Sequence, residues 1–342
     1  MATKRWLSWK KILPLFLVGI AILIGLIATI GARNIAAVLH RVDPHIYAFA
    51  FVVQTLALLV WLAKWKILTM AIDLHVGARR MFPILLSGVF VNTVVPGARV
   101  GGGEPIRAYA FSRLGRVSMG ESLATVAADR ALDVIPFITI ASVALGVIVF
   151  TWHLPTYLLA GLTLALLAVI VLLATFVYLC AKPKVVRRVT QWVVRRFGWI
   201  IKRFRSIREV ERRLTSFAER FSKEMFTILR RGRYAGPALS LSGLYWALTV
   251  TRMYFVFWAL GQPISFGAIG VATVVGLLLH MVPIPGGLGI VEGGYVLIFT
   301  AAGVPAETAA TAALLDRGIS FWYTGLIGAI GISWTGLKLA RS

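Results

Sequence analysis

Hydrophobic residues in this chain gather into long uninterrupted runs, not the short periodic stripes of soluble helices or strands. A membrane-spanning helix needs about 20 apolar residues to cross roughly 30 Å of hydrocarbon. Six runs meet that length: Ile12 to Gly31, Ile46 to Ala71, Ser118 to Phe150, Tyr157 to Ala181, Pro237 to Leu260 and Ala306 to Gly336. The first is flanked by Lys4, Arg5, Lys10 and Lys11, and its apolar core exceeds the roughly 7–15 residues of a cleaved signal peptide. It reads as a retained signal anchor within an N-terminal unit, 1–45.

Two more apolar runs, Phe82 to Gly103 and Phe266 to Gly294, are broken. Pro96, Gly97 and the run Gly101-Gly102-Gly103 interrupt the first; Pro283, Pro285, Gly286, Gly287 and Gly289 interrupt the second. Proline removes a backbone donor and glycine favours non-helical dihedrals, so neither run is a continuous helix. Irregular backbone at membrane depth is tolerated only where protein buries it or it lines a wet cavity. Both runs are therefore predicted to be re-entrant hairpins, 82–116 and 266–303.

The two hairpins share landmarks: Pro96-Gly97, Glu104, Gly115 and Asp129-Arg130 in the first; Pro285-Gly286, Glu292, Gly303 and Asp316-Arg317 in the second. The intervals are 8, 11 and 14 residues against 7, 11 and 13, and Asp-Arg occurs nowhere else. The spacing predicts a duplicated unit of span, broken hairpin and long span, in 46–181 and 237–342. Counting basic residues in the short loops puts the N-terminus, the C-terminus and the connector 182–236 in the cytoplasm, with the loop carrying Lys64, Lys66, Arg79 and Arg80. The hairpins then enter from opposite faces, so the repeats are inverted, a plan that recurs in transporters with alternating access. The expected fold is an all-α polytopic integral membrane protein of the cell membrane, with six full spans and two re-entrant hairpins.

Composition narrows the picture. Of 342 residues, 59% are hydrophobic and 14% charged, against about 25% charged in soluble domains, which excludes a soluble globular protein. The net charge of +23 is concentrated in one place, since Lys182 to Arg233 holds 17 Lys and Arg against 4 Glu. Apolar residues recur there every three or four positions, which predicts an amphipathic helix on anionic lipid. Nucleic acid is excluded as a partner, because the segment is tied to the membrane at both ends and carries no recognised binding motif. With Cys180 as sole cysteine and five histidines outside any recognisable metal or catalytic arrangement, no metal, no cofactor and no enzymatic activity are expected.

Charges within the spans are the candidate chemistry. Asp129, Arg130 and Asp133 lie deep in one span and Asp316 and Arg317 at comparable depth in another, where a lone charge costs at least about 2.5–3.5 kcal/mol. Two readings stay open. In one, Arg99, Arg107, Arg130 and Arg317 hold an anionic headgroup, and Glu104, Asp129, Asp133, Glu292 and Asp316 balance them or carry protons. In the other, each Asp-Arg unit staples its helix to a hairpin. Glu104 and Arg107 stand at i,i+3 beside the glycine run, whose N–H groups suit a phosphate oxygen. Asn92 and His280, just ahead of the breaks, are expected to bond freed backbone carbonyls. Arg252 needs a partner, which Glu292 or Asp316 supplies.

The run Asn92-Thr93-Val94-Val95-Pro96-Gly97, then Gly101-Gly102-Gly103-Glu104-Pro105-Ile106-Arg107, Asp129-Arg130 and Pro283-Ile284-Pro285-Gly286-Gly287-Leu288-Gly289-Ile290-Val291-Glu292 resembles the lysylphosphatidylglycerol synthase transmembrane-region family, also described as flippase-like domains. The resemblance spans nearly the whole chain. It implies a membrane domain that moves a lipid headgroup between leaflets: aminoacylated phosphatidylglycerol in the two-domain synthases, other anionic or polyprenyl-linked lipids in stand-alone members. Those synthases add a soluble aminoacyl-transferase, whereas this chain stops at Ser342, so only the translocating part is expected to carry over.

The expected activity is passive or proton-coupled translocation of an anionic phospholipid or polyprenyl phosphate. An integral-membrane lipid-modifying enzyme and a scaffold for a cytoplasmic lipid synthase are the alternatives. Which lipid moves, in which direction, and whether two copies form a homodimer stay open.

Overall fold

The computed structural model describes residues 9–95, 102–151 and 207–341, with isolated positions between 160 and 188. Every regular element among the described residues is helical. The expected span Tyr157 to Ala181 and the first half of the basic connector fall largely outside these residues, as do Pro96, Gly97, Arg99 and Gly101.

The N-terminal helix α1 (Trp9–Ile30) ends where Gly31 takes a positive φ of 96°, and a separate short helix α2 (Ala32–Leu39) follows. Asp43 then caps α3 (Pro44–Met70), its carboxylate accepting from His45 N at 2.8 Å, with Pro44 at the first helical position. Helices α4 (Ala78–Val94) and α5 (Gly103–Gly115) flank the first break. A reciprocal box opens α6 (Met119–Thr151): Ser118 Oγ accepts from Glu121 N, and Glu121 Oε2 accepts from Ser118 N at 2.9 Å. Within the connector lies α7 (Ile207–Arg230), and α8 (Gly232–Ala259) follows directly.

The second broken run becomes α9 (Phe266–Leu279), a 3-10 turn at Pro285–Gly287 and α10 (Ile290–Ala301). Gly286, Gly287 and Gly289 all have positive φ, which only glycine adopts freely. The run expected as one last span is helical throughout, α11 (Ala306–Arg317) continuing through a π-helical turn at Gly318–Tyr323 into α12 (Thr324–Ala340).

Among the described residues, three helices are long and apolar enough to cross a membrane by length and composition: Leu13–Ile30, Pro44–Met70 and Met119–Phe150. These coincide with three of the expected spans. Leucines and isoleucines such as Leu17, Ile24, Leu326 and Ile330 stand exposed on the outer helices, an apolar surface that needs lipid to cover it.

The longest helix contacts are between α3 and α8 and between α4 and α12, and α6 packs on α9. Small residues permit the second pairing. A Cβ at Gly328 would lie 3.1 Å from Phe90 Cα, and one at Gly331 would press on Leu86 and on Pro83 O. One apolar core gathers residues of α3 to α6, including Trp65, Met81, Ile84, Leu85 and Phe111; another gathers Phe257, Ile269, Val291, Phe299 and Ala313 of α8 to α11.

Candidate functional site

One amide ties the end of α4 to the start of α5. Asn92, near the end of α4, accepts from Gly103 N at 2.8 Å and donates to Glu104 Oε1 at 3.3 Å. It thus satisfies a backbone donor that opens α5, where a freed carbonyl was expected as its partner. Gly103 sits against Gly88 O and the Asn92 side chain with no room for a Cβ. Its N–H is occupied by Asn92, so close approach, not a phosphate cradle, explains the glycine there.

Asp129 lies with neither carboxylate oxygen exposed, between Lys64 Nζ at 2.9 Å, Arg107 at 2.6 Å and the Trp61 indole N–H at 2.8 Å. Lys64 also bonds Asp133, whose other contacts are Ser242 Oγ at 2.5 Å and Arg130 at 3.6 Å. Arg130 turns to Glu104, with Nε at 2.7 Å from Oε1. The guanidinium groups of Arg107 and Arg130 both lie over the Trp61 ring, at 5.6 and 4.6 Å. Three cations and three carboxylates thus form one network with no net charge.

Glu104 and Arg107, one turn apart on α5, each reach α6, Glu104 to Arg130 and Arg107 to Asp129. One expectation is corrected here. Lys64 is not a loop residue but a fully buried one near the C-terminal end of α3. A buried lysine is stable as an ion only beside carboxylates, and the two carboxylates one turn apart on α6 need a cation between them. Lys64 fills that role together with Arg107 on Asp129 and Arg130 beside Asp133.

The second Asp-Arg unit repeats the plan. Arg317 Nε donates to Glu292 Oε1 at 2.7 Å, its Nη2 donates to Gly286 O at 2.7 Å, and its guanidinium lies over the Phe321 ring at 4.7 Å. Asp316 pairs with Arg252 of α8 at 2.8 Å, and Arg252 Nη1 donates to Gln54 Oε1 at 2.6 Å. His280 Nδ1 bonds Gly276 O at 2.5 Å, but that carbonyl also accepts from His280 N at 3.0 Å, so it is not the carbonyl freed by the break that had been expected. In both halves, then, the arginine of Asp-Arg takes the glutamate that opens the helix after the break. The aspartate takes a cation from the long helix before it: Lys64 of α3 or Arg252 of α8.

Between these networks lies a cavity of about 190 Å³, large enough to hold water. Asn92, Arg130, Asp133, Arg252, His280 and Asp316 line it, along with Gln54 and Thr249. Arg107, Asp129, Glu292 and Arg317 are buried outside its lining. Trp246, on the same wall, has a buried indole N–H with no acceptor among the described residues. Sequence reasoning did not single out Lys64, Gln54, Trp61 or Ser242. Lys64 could have been found by its place inside the apolar run Ile46 to Ala71, one turn after Trp61. Among the described residues no cluster of His, Cys, Asp and Glu is arranged to hold a metal ion.

A family model described as lysylphosphatidylglycerol synthase TM region matches residues 16–328. A UPF0104 membrane protein of Methanothermobacter thermautotrophicus is 33% identical over 330 residues, covering 96% of each chain. UPF0104 membrane proteins of Pyrococcus horikoshii and Methanocaldococcus jannaschii are 28% and 27% identical, over 94% and 93% of this chain and 96% and 93% of theirs.

Proposed function

Since the chain belongs to the lysylphosphatidylglycerol synthase TM region family, we propose that it is a membrane lipid translocase, not an enzyme, and that it carries an anionic headgroup through the cavity between its two halves. The observation that carries this is the pair of neutral ion networks, one from each half, opening on one polar cavity. Such a cavity has no use in a helical bundle held only by packing, because each buried ion is costly unless it does something hydrocarbon cannot.

The headgroup phosphate is held by Arg130 and Arg252, which face the cavity from opposite halves, with Trp246 offering a free donor. Arg107, Glu292 and Arg317 hold the breaks in place. Glu104 does so too, and by gripping Arg130 it also sets how far that arginine reaches. Asp133 and Asp316 line the cavity and are the carboxylates a proton can reach if movement is ion-coupled; Asp129 is sealed behind them.

The two halves act as inverted repeats with re-entrant hairpins. Their matched landmarks, the matched partners of the two Asp-Arg units, and the pairing of α3 with α8 support this. The protein sits in the cell membrane with both termini and the basic connector in the cytoplasm, as the distribution of Lys and Arg favours.

Purified protein in liposomes tests the proposal. It should accelerate transbilayer movement of labelled phosphatidylglycerol or polyprenyl phosphate over phosphatidylcholine. The charge-neutral double variant Arg252→Gln/Asp316→Asn should slow it tenfold or more, about 1.4 kcal/mol of lost interaction. No acceleration of any anionic lipid under imposed pH and voltage gradients would refute it.

A further inference from the structure

A second cavity of about 410 Å³ lies beside the polar one, between α1, α4 and α12, within the roughly 300–1,000 Å³ range of ligand pockets. Its character is opposite: among the described residues no charged side chain lines it, and its walls are built from Phe16, Phe90, Val94, Pro285, Phe321 and Leu326. Its rim is open on the outer surface, where Leu13, Trp322 and Leu326 are 54%, 56% and 68% exposed. That surface is the one lipid covers.

The inner end is Thr93, which lines both cavities. Its hydroxyl is turned back into its own helix, donating to Val89 O at 2.9 Å. Its methyl group faces the groove: a Cβ built on Gly325 would lie 3.6 Å from Thr93 Cγ2. Beside it, Gly286 is pressed between the Phe321 ring and Thr93 O, and Arg317 fixes that contact by bonding Gly286 O and lying over Phe321. One residue thus separates a charged cavity in the centre from an apolar lane that reaches the bilayer.

We infer that this groove is a binding site for a hydrocarbon chain, acyl or isoprenoid, of the lipid whose headgroup occupies the polar cavity. The inference rests on the translocase reading and adds to it where the tail goes. An amphiphile entering a polar cavity cannot take its chain along, since every methylene moved from hydrocarbon to a polar surrounding is unfavourable. The chain needs an apolar path that stays continuous with the bilayer while the phosphate is inside. The groove meets the cavity at Thr93 and the lipid at Leu326, and so provides such a path.

The test uses vesicles of phosphatidylcholine doped with phosphatidylglycerol carrying a diazirine in its acyl chain, photolysed and mapped by mass spectrometry, with flux measured in parallel. Adducts are expected on Phe16, Trp322 and Leu326, at least fivefold fewer in the headgroup variant Arg252→Gln/Asp316→Asn. Gly325→Trp fills the groove and should lower both adducts and flux by a similar factor; Ala329→Trp, at the outer end, does the same should Gly325→Trp fail to fold. A phosphatidylcholine probe with the same chain should label weakly and ignore the headgroup variant. Equal labelling by both probes would overturn the inference, reducing the groove to ordinary lipid contact. Flux without any groove adduct would also overturn it, leaving the translocase reading intact. Headgroup-dependent adducts without flux would support the site and remove the translocase reading.

Discussion

Lys64 of α3 and Asp129 of α6 stand 2.9 Å apart with neither side chain exposed, and the same ammonium group also bonds Asp133. One lysine thus ties two carboxylates of a neighbouring helix to α3. Removing one member of a buried ion pair leaves an uncompensated charge, a loss of about 3–5 kcal/mol. Lys64→Met should therefore lower the unfolding midpoint in detergent sharply, and adding Asp133→Asn should recover part of the loss. An unchanged midpoint in Lys64→Met would show that Arg107 and Arg130 carry the carboxylates alone.

Gly103 and Gly293 provide a matched contrast. A methyl group at Gly103 collides with Gly88 O and Asn92, whereas one at Gly293 meets nothing within 4 Å. Gly103→Ala should destabilise by about 1–3 kcal/mol through forced displacement of α5 from α4. Gly293→Ala should be neutral or stabilise by up to about 1 kcal/mol, as alanine does inside a helix. Thermal unfolding of the two variants side by side checks the pair.

The matched glutamates differ in burial, and the difference sets an order. Glu292 is 1% exposed on its side chain and Glu104 14%, so water can take over more of the role of Glu104. Glu292→Gln should cost more stability than Glu104→Gln, since a buried guanidinium left half-paired pays its desolvation in full. The reverse order, read from unfolding midpoints, would mean that the two Asp-Arg units are not energetic equivalents.

Arg317 contacts Glu292, Gly286 O, His280 and the Phe321 ring, and lysine cannot reproduce these contacts together. In Arg317→Lys the bond to Gly286 O and the stacking on Phe321 are lost first. Amide hydrogen exchange across 286–289 should quicken while α3 stays protected. Unaltered exchange there would indicate that positive-φ glycines alone hold the second break.

Much of this was legible in the chain. The apolar runs predicted the three long spans, and the proline and glycine clusters predicted a helix break after Val94 and again near Pro285. The two Asp-Arg pairs marked both ion networks. Partner identity was not legible, because it depends on how helices rotate against one another. Glu104 and Arg107 are one turn apart on α5, yet packing turns both to α6. Lys64 was assigned to a loop because counting basic residues around spans treats each as a topology signal, and one lysine near a helix end looks the same whether it is solvated or paired. Which arginines face the cavity was equally hidden: Arg130 and Arg252 do, Arg107 and Arg317 do not.

Alternating access of the central cavity is most directly tested by side-specific labelling. Cys180→Ser removes the only native cysteine, and Thr249→Cys places a thiol on the cavity wall. An impermeant maleimide applied to oriented vesicles should reach this thiol from either face, and phosphatidylglycerol should slow both reactions. Labelling from one face alone, or at rates indifferent to lipid, would contradict a cavity that carries headgroups across the membrane.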